Sequence, residues 1–196
     1  MDFIEVCDEA IAPISKHSEN VARKAVLIYE NLSSFEKEKV FPLKSEKYSA
    51  IELICMCGLY HDIGKTYIND FYNNLLDKEK FTDADKERMK QHTLMGAVML
   101  KNVYEKYPSI DEITFGYLMQ SCLFHHEKED GKGYLHLCKP NIPFVAQIIT
   151  VADIYSAGIE HRVYEPSKDS ERLFQEMYSQ SINQTYVEAL RNGLNK

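Results

Sequence analysis

The sequence predicts an all-α fold, a single helical bundle with one functional loop. Apolar residues recur at three- and four-residue steps over long segments, the period of a helix that buries one face. Residues that start or stop helices punctuate those segments, among them Pro13, Thr82, Pro108, Pro143 and Pro166. No alternating strand pattern, internal repeat or low-complexity tract competes with this assignment.

Each element follows from its own residues. Over residues 13 to about 32, Ile14, Val21, Ala25, Ile28 and Leu32 form the stripe of one amphipathic helix, with Pro13 suited to its first turn. His17, three after Ile14 and four before Val21, falls on the inward face. Residues 33–47 are charged and carry Phe41-Pro42, which reads as a connection with a short helical turn. Residues 45–62 form a buried helix through Ala50, Ile51, Leu53, Ile54, Met56 and Leu59, ending on His61-Asp62 where Gly64 lets it stop. Residues 65–81, rich in Asn, Tyr and Asp, read as a loop with short helical pieces. Thr82, with acids following, starts a helix that Pro108 stops, its inward stripe formed by Leu94, Ala97, Val98 and Val103, with His92 nearby. Residues 110–126 form another helix, ending on His125-His126. Glu127 to Tyr134 is a loop, because Gly131 and Gly133 beside Asp130 make a poor helix. Pro143 opens a strongly apolar helix to about residue 164, broken at Glu165-Pro166-Ser167. Residues 170–191 supply one last polar amphipathic helix, whose Leu173, Phe174, Met177, Tyr178 and Ile182 pack on the core or on a second copy.

Composition narrows the function classes. At 196 residues, 44% of them hydrophobic, the chain can build one large core, so one domain over residues 1–196 is expected. The longest apolar stretches, 51–59 and 142–154, fall short of the roughly 20 residues of a membrane span. The acidic start, with Asp2, Glu5, Asp8 and Glu9, is not that of a signal peptide. Five cysteines without a C-x-x-C pair read as reduced thiols of a cytoplasmic protein. The net charge of −7 argues against DNA or RNA polymers and anionic membranes, though not against a small phosphate ester met by local positive charge.

The chemistry lies in histidines and aspartates. His17, His61, His92, His125 and His126 fall at inward helix positions or helix ends, as do Asp62 and Asp153. A single buried histidine is usually a hydrogen-bonded core residue. Seven such groups on separate helices instead point to a metal site built from facing side chains. Neighbours on a helix diverge by about 100°, so His125 and His126 suit adjacent metals better than one shared ion, and Asp62 beside His61 suits a carboxylate bridging two. Two close ions suit phosphate-ester hydrolysis, because they lower the pKa of water and stabilise charge on phosphorus. A carboxylate and imidazole set without thiolate favours iron or manganese over structural zinc, with other divalent ions left open.

His17, His61-Asp62 and Asp153 resemble the H…HD…D pattern of the HD superfamily of metal-dependent phosphohydrolases. His61-Asp-Ile-Gly-Lys65, His92-Thr-Leu-Met-Gly96, the run from His125 to Tyr134, and Asp153 followed nine residues later by Arg162 resemble more narrowly the HD-GYP family. The resemblance covers residues 14–164. It implies a bundle of the HD-domain type and a phosphodiesterase that linearises cyclic di-GMP to pGpG, in some members continuing to GMP, through a hydroxide shared by two metals. It also implies that His17, His61, Asp62, His92, His125, His126 and Asp153 are metal ligands. Lys65 would contact the scissile phosphate beside Asp62, and Tyr134 and Arg162 would hold the substrate. Those roles make chemical sense: a lysine neutralises a phosphate, an arginine offers it a fork, and a tyrosine offers a base a ring.

Two departures stand out. The family signature ends Gly-Tyr-Pro, whereas this chain has Gly133-Tyr134-Leu135, which keeps other cyclic dinucleotides or nucleotides, and a binding module without turnover, as alternatives. Members with three metals carry a glutamate where this chain has Pro13, so two metals are expected. Glu127 and Asp130 read either as carboxylates orienting the histidines or as caps of the loop. His136, His161 and Lys132 read as solvated. Regulation would come from metal redox state, expression or a separate regulatory protein, and the oligomeric state, monomer or homodimer, is left open.

Overall fold

The computed structural model describes residues 1–68, 82–160 and 169–196. Helix α1 (Phe3–Ile11) starts at a reciprocal cap: Asp2 accepts from the Glu5 amide at 3.0 Å and Glu5 accepts from the Asp2 amide at 2.8 Å. Its buried residues Phe3, Cys7 and Ile11 follow four-residue steps. A 3₁₀ turn, Ala12–Ile14, then leads into α2 (Ser15–Glu30), and α3 (Ser34–Val40) follows after a short connection. Helix α4 (Ala50–Tyr60), capped by Ser49 and Glu52, runs into a 3₁₀ turn, Ile63–Thr66. Helices α5 (Asp83–Lys106), α6 (Glu112–Phe124) and α7 (Phe144–Ile159) complete the framework of the site, and α8 (Ser170–Tyr178) and α9 (Gln184–Leu194) close the bundle. The architecture is all-α: among the described residues the only strand-like feature is an isolated bridge between Asp130 and Cys138.

Helices α2, α4 and α7 pack on one another, with α7 innermost. Helix α7 is buried on nearly every side, from Val145 to Ser156, as an apolar surface running round the whole helix requires. The approach of α5 depends on two glycines. A Cβ on Gly64 would lie 1.9 Å from the His92 carbonyl oxygen and 2.5 Å from the Gly96 amide nitrogen, so only hydrogen at both positions lets the 3₁₀ turn lie against α5. That contact sets His92 opposite Asp62.

Several boundaries differ from the sequence reading. An N-terminal helix exists where none was expected, and Pro13 sits in the turn before α2 rather than in its first turn. Helix α4 starts at Ala50, not near residue 45, because Ser49 caps it. Leu94 and Val98 are exposed: the face of α5 turned inward carries His92, Thr93, Gly96, Ala97 and Leu100, where small residues permit close approach. The expected single helix over 170–191 is two. It breaks after Tyr178, and Asn183 caps α9 by accepting from the Thr185 amide at 3.1 Å.

Candidate metal centre

Helix α2 supplies His17, the end of α4 supplies His61 and Asp62, α5 supplies His92, the end of α6 supplies His125 and His126, and α7 supplies Asp153. All seven sequence-predicted donors converge on one place. They form two sets, Asp62, His92, His125 and His126 on one side and His17, His61 and Asp153 on the other, each with donor atoms within 4.8 Å of one another. Asp62 stands between them. Its Oδ1 lies 3.2 Å from His92 Nε2 and 3.5 Å from His125 Nε2, while its Oδ2 lies 3.3 Å from His61 Nε2 and 4.0 Å from His17 Nε2.

The hydrogen bonds behind the rings show what the cluster is built to hold. His61 Nδ1 donates to the Gly58 carbonyl at 2.7 Å, His92 Nδ1 to Met89 at 2.6 Å, and His125 Nδ1 to Ser121 and Cys122 at 3.0 Å. A carbonyl can only accept, so each Nδ1 carries a proton, and the tautomer this selects presents its lone pair at Nε2. Those lone pairs face carboxylate oxygens and one another; His92 Nε2 and His125 Nε2 are 3.3 Å apart. His61 Nε2 and Asp62 Oδ1 are buried without a hydrogen-bond partner. Such an arrangement of acceptors is costly unless a cation sits among them, and the donor set fits a divalent ion.

Charge supports the same conclusion. Burial opposes ionisation of Asp62, yet the Lys65 ammonium beside it outweighs burial and holds the carboxyl well below the usual range. Asp153 behaves alike, its burial outweighed by the hydrogen bond and charge of His17. Burial pushes His92 down and His126 far down, so both rings favour the neutral, ligating form. His17 differs: burial lowers it, but hydrogen bonds to Asp153 and Glu160 prevail and raise it to about 9.

Lys65, on the 3₁₀ turn, forms an ion pair with Asp62 Oδ2, placing its ammonium at the junction of the two sets. Tyr134 stands beside the His92 and His126 half, its ring centre 4.4 Å from that of His126 and 6.3 Å from that of His92. Arg162 and His161 lie outside the described residues. Glu127 does not orient a histidine. Its buried carboxylate accepts from the Leu135 and Leu137 amides, each at 2.7 Å, and so holds the loop that carries Tyr134. Asp130 caps the loop through the Lys132 amide and pairs with the Lys132 side chain, and His136 is exposed. Sequence reasoning missed Glu160 and Asn20, which stand behind His17; Glu160 is 143 residues away from it, and no local pattern announces the pairing.

Facing helices that pool histidines and aspartates around a shared carboxylate define a helical protein with a cluster able to hold metal. The chain belongs to the HD domain family, whose model matches residues 14–158. A protein of Vibrio cholerae serotype O1 named "Probable cyclic di-GMP phosphodiesterase" is 38% identical over 113 residues, 57% of this chain and 25% of that one. A second protein of that organism, named cyclic di-GMP phosphodiesterase, is 36% identical over 118 residues, 60% of this chain and 23% of its own. The cyclic di-GMP phosphodiesterase response regulator RpfG of Xanthomonas campestris pv. campestris is 29% identical over 179 residues, 89% of this chain and 42% of its own. These similarities agree with the HD-GYP resemblance. The chain spans less than half the length of each of these relatives. Among the described residues no helix is long and apolar enough to cross a membrane.

Proposed function

We propose that this chain is a metal-dependent phosphodiesterase that opens cyclic di-GMP to linear pGpG, with two divalent ions, iron or manganese, held by the seven donors. One observation carries the reading: the two oxygens of Asp62 face two separate sets of donors, Oδ1 towards Nε2 of His92 and His125 and Oδ2 towards Nε2 of His61 and His17. The names of the relatives support the substrate. Two ions rather than three follow from Pro13, which is exposed in the turn before α2 and offers no ligand atom. Bound ions would supply the Lewis acidity that activates water and stabilises charge on phosphorus.

The chain's own residues do the rest. His61, His92 and His125 are fixed by main-chain carbonyls, so their Nε2 atoms need no reorganisation to bind. Lys65 is 13% exposed, close enough to the surface to meet a phosphate and near enough to Asp62 to place that phosphate at the junction. Tyr134 supplies an aromatic wall on the His126 side for a nucleobase, and Arg162 a fork for a second phosphate. Leu135, half exposed at the end of the loop, stands where the family has proline, which favours a test of other cyclic dinucleotides alongside cyclic di-GMP.

The test is product analysis. Protein loaded anaerobically with Fe²⁺ or Mn²⁺ is incubated with cyclic di-GMP, other cyclic dinucleotides and mononucleotides, and products are resolved by chromatography. Metal-dependent formation of pGpG is expected. Turnover of mononucleotides alone, or tight binding of cyclic di-GMP without turnover under any metal condition, contradicts the proposal.

A further inference from the structure

The two halves of the cluster are supported differently. His61, His92 and His125 lean their Nδ1 atoms on carbonyls of their own helices. His17 instead places Nδ1 3.0 Å from Oε2 of Glu160, while Oε1 of Glu160 accepts from Asn20 Nδ2 at 2.9 Å, one turn along α2. Glu160 ends α7, with its amide donating to the Ser156 carbonyl at 3.1 Å. The contact therefore joins the two helices that carry His17 and Asp153, and it is mostly shielded, the side chains of His17 and Glu160 being 14% and 20% exposed.

A carboxylate behind an imidazole does two things a carbonyl does less well. It fixes the tautomer with Nε2 turned forward, and its full negative charge makes that nitrogen a stronger donor. Counting charges, the His17, His61 and Asp153 half has Asp153, one oxygen of Asp62 and Glu160 behind it. The His92, His125 and His126 half has the other oxygen of Asp62 and two rings backed by neutral carbonyls.

We propose that Glu160, steadied by Asn20, is a positioning residue that selectively strengthens the metal position formed by His17, His61, Asp153 and Asp62 Oδ2. The proposal rests on the reading above that both halves hold metal. Glu160 touches neither metal nor substrate; it acts through the ring of His17.

The test measures metal affinity rather than turnover. The full chain, Glu160→Gln and Asn20→Ala are titrated with Mn²⁺ in competition with a chelator, with helicity checked by circular dichroism. The parent shows two binding steps. Glu160→Gln weakens one step about 10- to 100-fold, the range for partners behind a ligating histidine, and leaves the other within about twofold. Asn20→Ala weakens the same step by a smaller factor, and it carries the test if Glu160→Gln does not fold. Two unchanged steps in a folded variant overturn the proposal. Equal weakening of both steps, the signature of a merely structural role, also overturns it. A parent that binds no manganese defeats the metal reading itself, a separate failure.

Discussion

Replacing Asp62 with asparagine separates the electrostatics of the empty cluster from those of the loaded one. The carboxylate is 1% exposed and paired with Lys65. Without metal, Asp62→Asn removes that pair, but Lys65 is near enough to water to be resolvated, and the substitution also removes a negative oxygen from facing lone pairs. The cost is then that of a hydrogen bond to a charged group, about 1.5–3 kcal/mol. With metal the balance changes. An ion that binds only the folded chain, at 100 times its dissociation constant, adds about 2.7 kcal/mol. For a chain of this length 1 kcal/mol moves the melting temperature by about 2–4 °C, so one filled position raises it by about 5–11 °C. Because each Asp62 oxygen faces a different half, asparagine weakens both positions at once. Thermal unfolding followed by circular dichroism, with chelator or with Mn²⁺, tests this. The parent gains about 5 °C or more on metal addition and Asp62→Asn gains less than about 2 °C. A variant that keeps the parent's full rise refutes the sharing of Asp62.

Four further outcomes follow from the structure. His17 is raised to about 9 from the ordinary imidazole value of about 6.5; its contribution is therefore fully present below about pH 6.5 and lost as pH rises through 9. Metal-free protein should lose thermal stability across that window, by about 3 kcal/mol from this group, and a flat profile in thermal scans contradicts the His17 contacts. Gly64→Ala drives a Cβ into the His92 carbonyl and the Gly96 amide. Urea unfolding should show a loss of about 3 kcal/mol or more. Gly116→Ala, where the added Cβ meets open space on α6, should instead stabilise by up to about 1 kcal/mol. Glu127→Gln leaves one of the two loop amides facing an NH₂ group, so it should raise KM for cyclic di-GMP more than it lowers kcat; an unchanged KM removes the loop from substrate binding.

Much of the site was legible because metal donors on helices sit at inward positions that periodicity identifies. His17 between Ile14 and Val21, and His125-His126 at a helix end, were found that way. Thr82 revealed the start of α5 because the reciprocal cap with Asp85 is written within four residues. The same signal stood at Asp2 and Glu5, with Phe3, Cys7 and Ile11 behind it, and marks α1, which acidity alone concealed. The break between α8 and α9 was hidden because Ile182 keeps the apolar rhythm through a turn whose cap, Asn183, reads locally as an ordinary helix residue. Leu94 and Val98 misled because large apolar residues usually point inward, whereas here the tight packing of Gly96 on Gly64 decides which face of α5 is buried. Glu160 could not be found from sequence, since its partner His17 comes to it only through the packing of α2 on α7.

The central claim is that one carboxylate, Asp62, is shared between two metal positions. Anomalous diffraction from crystals of the manganese-loaded protein tests it most directly. The account predicts two peaks about 3.5–4 Å apart, one among His92, His125 and His126 and one among His17, His61 and Asp153, with an oxygen of Asp62 on each. A single peak, or two peaks of which only one touches Asp62, contradicts it.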